Sequence, residues 1–425
     1  MNLAIELPNS PPWAQQLVGI LPLTALIEFI EEAAKLHVFE LSGLTPAWCW
    51  PISPKGARLL LSTDDTTNAC CLDRPGAVHT LHCMDTKFGD HYPSAAAATT
   101  RLFLRSQKVD VKVENSFVAL GDRTRQQKLY VYVVEDETSD GPYGPIRRLI
   151  DIVWGPVSLH YALVSLSGWI LWAAGIICSL LSGTFYGMIY LLLMPASGHF
   201  IGQLFGTAPR SLKPGRYNGN ISKRLIVSAS SLNGQDWNAF IGSRNSVNAL
   251  LNRPLQRKVF PRRPNLFRWM LRFTIMAQWC IIIIASTLQG WDAAVVTFCT
   301  AFCSLSVTYL YSSEDAASDW LKHQCRVKFK CVRANLGTRR SLLGALVYLN
   351  PDRESTEWMN PILARSSLRE KWERSLLEYI RSGSVRLEHE KEYWVTFIKE
   401  GAEVGKNIAD AIAKLQEHPL SREKC

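Results

Sequence analysis

The 425 residues carry 47 Lys and Arg against 37 Asp and Glu, a formal net charge of +10, and 47% apolar residues at a mean hydropathy of zero. That average conceals two charge-poor blocks inside an otherwise ordinary composition, which excludes a disordered chain, a secreted mini-protein and a single soluble globule. The pattern is that of a mainly α-helical polytopic membrane protein, and no reaction can be read from it.

At the start of the chain, Leu7 to Ile27 lacks charge but is interrupted by Pro8, Pro11, Pro12 and Pro22. Leu23, Leu26, Ile27 and Ile30 then recur at helical spacing with Glu28, Glu31 and Glu32 on other faces, which predicts an amphipathic helix; a fifth membrane span is the alternative. No basic region precedes it, so a cleaved signal peptide is not expected. Residues 1–150 read as an N-terminal cytosolic α+β domain. Its best strand candidates are Lys112 to Glu114, Ser116 to Leu120 and Lys128 to Glu135.

From Ile152 to Pro209, 58 residues pass without an acid or a base, too many for one crossing of about 20 residues. Two helices, about 161–181 and 184–205, fit around a turn at Ser182, Gly183 and Thr184, giving a first transmembrane hairpin over 160–205. A second hairpin, 273–313, is predicted from helices at about 273–288 and 293–313 around Gln289, Gly290, Trp291 and Asp292, whose carboxylate suits an interface. Between the hairpins, residues 206–272 hold 13 basic side chains and one acid. With four spans, both termini and this loop share one side, and the basic excess places that side in the cytosol. Eleven cysteines, among them Cys178, Cys280, Cys299 and Cys303 inside predicted spans, then read as reduced thiols.

Residues 314–425 form a C-terminal cytosolic region, mostly helical, that begins with a strand at Arg326 to Arg333. Ser367 with Glu370 makes a capping box. Leu368, Trp372, Leu376 and Ile380 line one helical face and Val404, Ile408, Ile412 and Leu415 another, as core or as seams for a protein partner.

Motifs with chemistry are scarce. Walker, Rossmann, kinase, nucleophile-elbow and zincin patterns are absent. His79, His82, Cys83, Asp85, Asp90 and His91 concentrate possible ligands within 13 residues, but no second ligand pair follows at zinc spacing, so no metal and no cofactor is expected. Asp64, Asp65, Thr66, Thr67 and Asn68 resemble the aspartate-rich run of terpene synthases, which grips magnesium diphosphate; without a second magnesium motif the run reads as a turn or helix start. Gly183 with Gly187, and Gly198, Gly202 and Gly206, recur every four residues and predict a helix-packing face. In the central loop, Arg257, Lys258, Arg262 and Arg263 are the bases best placed to bind anionic lipid headgroups, with Trp237, Phe240, Ile241, Leu250 and Leu251 available for shallow insertion. That juxtamembrane position favours lipid over nucleic acid.

Trp237 to Leu255 (WNAFIGSRNSVNALLNRPL), Gln278 to Tyr311 with its LQGWDA turn, and LNPD at Leu349 to Asp352 together resemble a group of multi-pass membrane proteins of filamentous fungi that have no assigned activity. The resemblance implies a membrane fold, covers about residues 150–380, and carries no catalytic residue. Three classes of function follow. A transporter is disfavoured by the scarcity of ionisable residues in the spans. An enzyme acting on a lipid or isoprenoid would need an interfacial cluster of acids, histidines or metal ligands. A non-catalytic scaffold or regulator with cytosolic interaction domains needs neither and is the main expectation.

Overall fold

Among the described residues, apolar runs of leucine, isoleucine and aromatic residues form four helices long and apolar enough to cross a membrane, which fits a membrane location. The structure, a computed structural model, describes residues 16, 20–26, 32–61, 70–74, 80–117, 126–136, 157–206, 210, 212, 223–252, 255, 263–288, 290–352, 355–384 and 393–417.

In chain order the elements are helices α1 (Glu32–Ser42) and α2 (Pro54–Leu61), strands β1 (His82–Asp85) and β2 (His91–Pro93), helix α3 (Ala97–Ser106), and strands β3 (Val111–Val113) and β4 (Gln127–Asp136). The apolar helices α4 (Leu159–Leu181) and α5 (Phe185–Ile201) follow, then β5 (Lys223–Ala229), β6 (Asp236–Ser243) and α6 (Arg244–Leu251). The second apolar pair, α7 (Pro264–Leu288) and α8 (Trp291–Leu305), precedes α9 (Ser313–Asp319), β7 (Val327–Leu336), α10 (Arg339–Leu349), α11 (Ser367–Ser382) and α12 (Val395–Glu417). Both α5 and α8 end in a π-helical turn, Gly202–Gly206 and Ser306–Leu310. The chain falls into two compact units, one of Met1–Gly76, Asp140–Ser211 and Leu255–Cys325, the other of Ala77–Ser139, Leu212–Pro254 and Arg326–Cys425.

In the helical unit, α5 is central and packs on α4, α7 and α8. Helix α7 begins nine residues earlier than the hydropathy pattern predicts. Pro264 fits the first turn, where a missing N–H costs nothing, and Arg268 and Arg272 ride on the helix, Arg272 lying 5.2 Å over the Trp269 ring. The Asp292 carboxylate accepts a 2.8 Å hydrogen bond from the Gly187 N–H, one of the orphan donors in the first turn of α5. At the chain start, Leu21–Leu26 is a 3-10 turn and Glu32–Ser42 an α-helix; Ile27 and Ile30 of the expected amphipathic stripe lie outside the described residues.

The other unit is a seven-stranded mixed sheet in the order β2-β1-β5-β6-β4-β7-β3. Three predicted strands are present as β3, β4 and β7, but the sheet is not confined to the N-terminal segment. β5 and β6 come from the basic central stretch, and β7 from beyond the last apolar helix. β4 pairs with β6 in parallel and with β7 antiparallel, aligning Tyr130 with Asn238 and with Arg333. One sheet face presents Leu129, Val131, Ala239 and Val332 to Leu342, Leu346, Trp372, Ile398 and Ile408. Apart from the exposed Leu368, the stripes of α11 and α12 therefore pack on this core rather than forming free seams. The cap of α11 is Ser366, whose hydroxyl accepts from the Arg369 N–H at 3.2 Å, one residue ahead of the expected box.

Candidate functional site

Between α1 and α2 the chain abandons helix, and this stretch packs into the apolar interior of the helical unit. Gly43, at φ +70°, ends α1 with its N–H on the Phe39 carbonyl at 2.8 Å, a left-handed turn that a side chain would strain. Pro46 and Pro51 then keep residues 44–53 from continuing as a helix. Trp48, Cys49, Trp50 and Ile52 are buried. Backbone placed among apolar helices must find partners there, because an unsatisfied buried amide costs about 1–3 kcal/mol. Gln278 of α7, fully buried, provides them. Its Oε1 accepts from the Ile52 N–H at 3.2 Å, while its Nε2 donates to the Trp50 carbonyl at 3.3 Å and to Ser197 Oγ at 2.8 Å. Trp279 Nε1 donates to the Ile52 carbonyl at 2.9 Å and Trp48 Nε1 to the Ser165 carbonyl at 3.2 Å. Lys35 donates to the Cys49 carbonyl, and its ammonium lies 4.1 Å over the Trp50 ring.

The glycines make room for this segment. A Cβ on Gly198 would meet the Ala47 carbonyl oxygen at 2.1 Å, one on Gly168 would enter the Trp48 ring at 2.0 Å, and one on Gly206 would strike Phe39 at 2.5 Å. Gly187 admits Val295 of α8, a true helix-helix contact, and Gly202 is in ordinary van der Waals range of Phe39. Gly183 departs from the expected packing face. It occupies the turn after α4 at φ +73° with nothing within 4 Å.

Beside the segment lies a cavity of about 380 Å³ among α4, α5 and α8, within the size range of small-molecule sites. Trp48, Trp172, Leu191, Met194, Phe298 and Phe302 line it, with Trp48 and Phe302 stacked at 5.5 Å. Ser179, Ser182, Cys178, Cys299 and Cys303 supply its few polar atoms. α4 and α8 each pack on α5, and the cavity lies between them. Such walls suit an apolar chain or ring.

A polar cluster gathers on α1 and the 70–74 turn. Glu40 accepts from the Cys71 N–H at 2.6 Å and from Arg74 Nη2 at 2.8 Å. His37 Nδ1 accepts from the Leu72 N–H at 3.0 Å, and its Nε2 lies 3.7 Å from Asp73. Burial holds the Cys70 thiol well above its ordinary value and pushes Cys71 up to about 11, so neither is a ready thiolate nucleophile.

The sequence candidates scatter. His82 and His91 stack at 5.4 Å across β1 and β2. The thiol of Cys83 is buried and pushed up to about 12 by desolvation, and Asp85 is in a buried ion pair with Arg224. Among the described residues, no three His, Cys, Asp or Glu side chains converge on a metal position. His79 and the run Asp64 to Asn68 lie outside the described residues, as do Arg257, Lys258 and Arg262; Arg263 is exposed at the start of α7. Trp237, Phe240, Leu250 and Leu251 are buried in the sheet unit and Ile241 packs on its core, which corrects their expected insertion into lipid. Arg210 is also internal, donating to the Glu40 carbonyl at 3.2 Å. The role of Gln278 was signalled only by an amide inside an apolar run; Trp48 and Lys35 gave no sequence signal. No family model, curated protein or solved structure matches this chain.

Proposed function

We propose that the chain is a four-span integral membrane protein with both termini and the central basic stretch in the cytosol, acting as a non-catalytic scaffold or regulator through its sheet unit. The carrying observation is the strand order. β1 to β4 precede the first apolar helix, β5 and β6 lie between the second and third, and β7 follows the fourth, yet all seven are hydrogen-bonded into one sheet. A sheet cannot pair across a bilayer, so this pairing supports a shared side for the three segments and an even number of crossings. The basic excess of residues 206–272 favours the cytosol as that side. The polar groups of the apolar helices support a structural rather than a transport role, since Gln278, Ser197, Asp292 and the Tyr190–Thr300 pair all bind neighbouring protein.

In this reading Arg257, Lys258, Arg262 and Arg263 meet anionic headgroups beside the exposed Trp269 and Phe273. A protein partner of α11 or α12 engages their outer faces, because the apolar stripes are used internally. Kinship with the multi-pass proteins of filamentous fungi belongs to the same proposal and rests on the stretches quoted above. Glycosylation sequons inserted at Gly183 and Gly290 should be modified in microsomes while one fused after Cys425 is not; modification after Cys425 would overturn the topology. A second reading, an enzyme acting on a lipid or isoprenoid, is favoured by the apolar cavity. Turnover of a membrane lipid by the purified protein, abolished by filling the cavity with Gly175→Leu, would replace the scaffold reading.

A further inference from the structure

Three sulfur atoms meet where the non-helical segment 44–53 packs among the apolar helices. Cys49 comes from that segment, Met194 from α5 and Cys303 from α8, and all three are buried in one apolar cluster. Cys303 Sγ lies 4.0 Å from Met194 Sδ, and the thiols of Cys49 and Cys303 are within hydrogen-bonding reach of one another. Cys49 Sγ also donates to the Cys303 carbonyl at 3.3 Å, and Cys303 Sγ lies 3.7 Å from the Trp48 carbonyl, so both thiols cross the same gap between the segment and α8.

The spacing and chemistry of this set suit a soft metal ion. Three sulfurs placed evenly around one metal at about 2.3 Å stand about 4 Å apart, and Cys303 and Met194 have that separation. Zinc sites are built from thiolate, imidazole and carboxylate, and magnesium and calcium take oxygen, whereas thiolate together with thioether selects Cu(I). Charge points the same way. Two thiolates around one Cu(I) leave one negative charge, which is costly in an apolar interior unless it is paired. The ammonium of Lys35, itself buried, donates to the Cys49 carbonyl and interacts electrostatically with both thiols, so metal, thiolates and ammonium together sum to zero. The cavity between α4 and α8 supplies an entry path, because Met194 and Cys303 form part of its wall, with Cys299 one helical turn before Cys303.

We propose that Cys49, Met194 and Cys303 form a Cu(I) site. On binding, both S–H bonds break, two thiolate–copper bonds and one thioether–copper bond form, and two protons leave to solvent. Copper enters and stays as Cu(I), so no electron is transferred. Because the ligands come from three elements, the bound ion ties segment 44–53 to α5 and α8.

The test titrates the full-length detergent-solubilised protein, reduced and under anaerobic conditions, with Cu(I) in competition with bicinchoninate. One Cu(I) per chain is expected, with three sulfur neighbours at about 2.3 Å by X-ray absorption and a raised melting temperature, since an ion that binds only the folded state stabilises it. The C178S/C280S variant, which lacks two exposed thiols, should bind as the unaltered chain does. C303S should abolish binding. Met194→Leu, which keeps the side-chain bulk and so the packing, should weaken it by more than about tenfold, a loss that even an outer supporting group causes. Absence of stoichiometric Cu(I) binding, binding indifferent to both M194L and C303S, or an equal loss in C178S/C280S would overturn the site.

Discussion

In the helical unit, buried polar side chains hold a non-helical stretch of backbone among apolar helices, and glycines clear the space that it fills. In the sheet unit the backbone pairs strand to strand, and the core beneath α10, α11 and α12 is apolar, with Trp237, Trp358, Trp372 and Trp394 almost fully enclosed. The first arrangement depends on a few specific hydrogen bonds and on the absence of side chains at Gly168 and Gly198. The second depends on volume, so the two units should respond to opposite kinds of substitution.

The largest effect is expected in the sheet unit. Trp237→Ala removes a wholly buried indole, together with its bonds to Gln127 Oε1 at 3.0 Å and the Gly234 carbonyl at 3.2 Å, and should cost about 3–5 kcal/mol. Limited proteolysis within β4 to β6 would report it, while the accessibility of Cys299 to thiol reagents stays unchanged. Gly198→Val tests the converse. Its Cβ meets backbone rather than a movable side chain, so a loss of about 3 kcal/mol is expected, read as increased labelling of Cys49 and Cys303. If both substitutions raised proteolysis of the sheet unit and thiol labelling of the helical unit equally, the units would not be separable in stability.

Gln278→Leu sharpens the comparison, because it keeps the bulk and removes the hydrogen bonds. Leaving the Ile52 N–H and the Trp50 carbonyl unpaired should cost about 1–3 kcal/mol in thermal unfolding, whereas Val131→Thr on the apolar sheet face tests insertion of a polar group into the other core. The smallest effect concerns pH. The Asp319 carboxyl is raised above its ordinary value, chiefly by burial and against the lowering effect of its hydrogen bond from Ser158. A carboxyl raised in the folded state contributes fully at pH below its unfolded value of about 3.9 and loses that contribution as pH rises through the folded value. Asp319→Asn should therefore flatten the decline in melting temperature between acid and neutral pH, and an unchanged slope would assign the decline elsewhere.

Much of the helical architecture was legible because hydrocarbon imposes a simple requirement, a long run without charge. Ile152 to Pro209 satisfies it twice, and the ends of α4 and α5 fall within a few residues of the expected places. The beginning of α7 was missed because Arg268 and Arg272 count against a span by hydropathy although a helix can carry them at its polar end. Strands β4 and β7 were visible from their alternation, while β5 and β6 were hidden by the basic residues around them and by an expectation of lipid contact.

By itself the sequence determined which segments are apolar, where they turn, and that α11 and α12 carry apolar stripes, as core or as seams, since these are properties of local composition and period. Only the tertiary structure decided what those stripes meet, that three distant segments share one sheet, that residues 44–53 enter the helical unit, and that the sulfurs of Cys49, Met194 and Cys303 come together. Each of these depends on contacts between residues far apart in the chain, and no local pattern specifies which distant partner a buried face or an orphan amide will find.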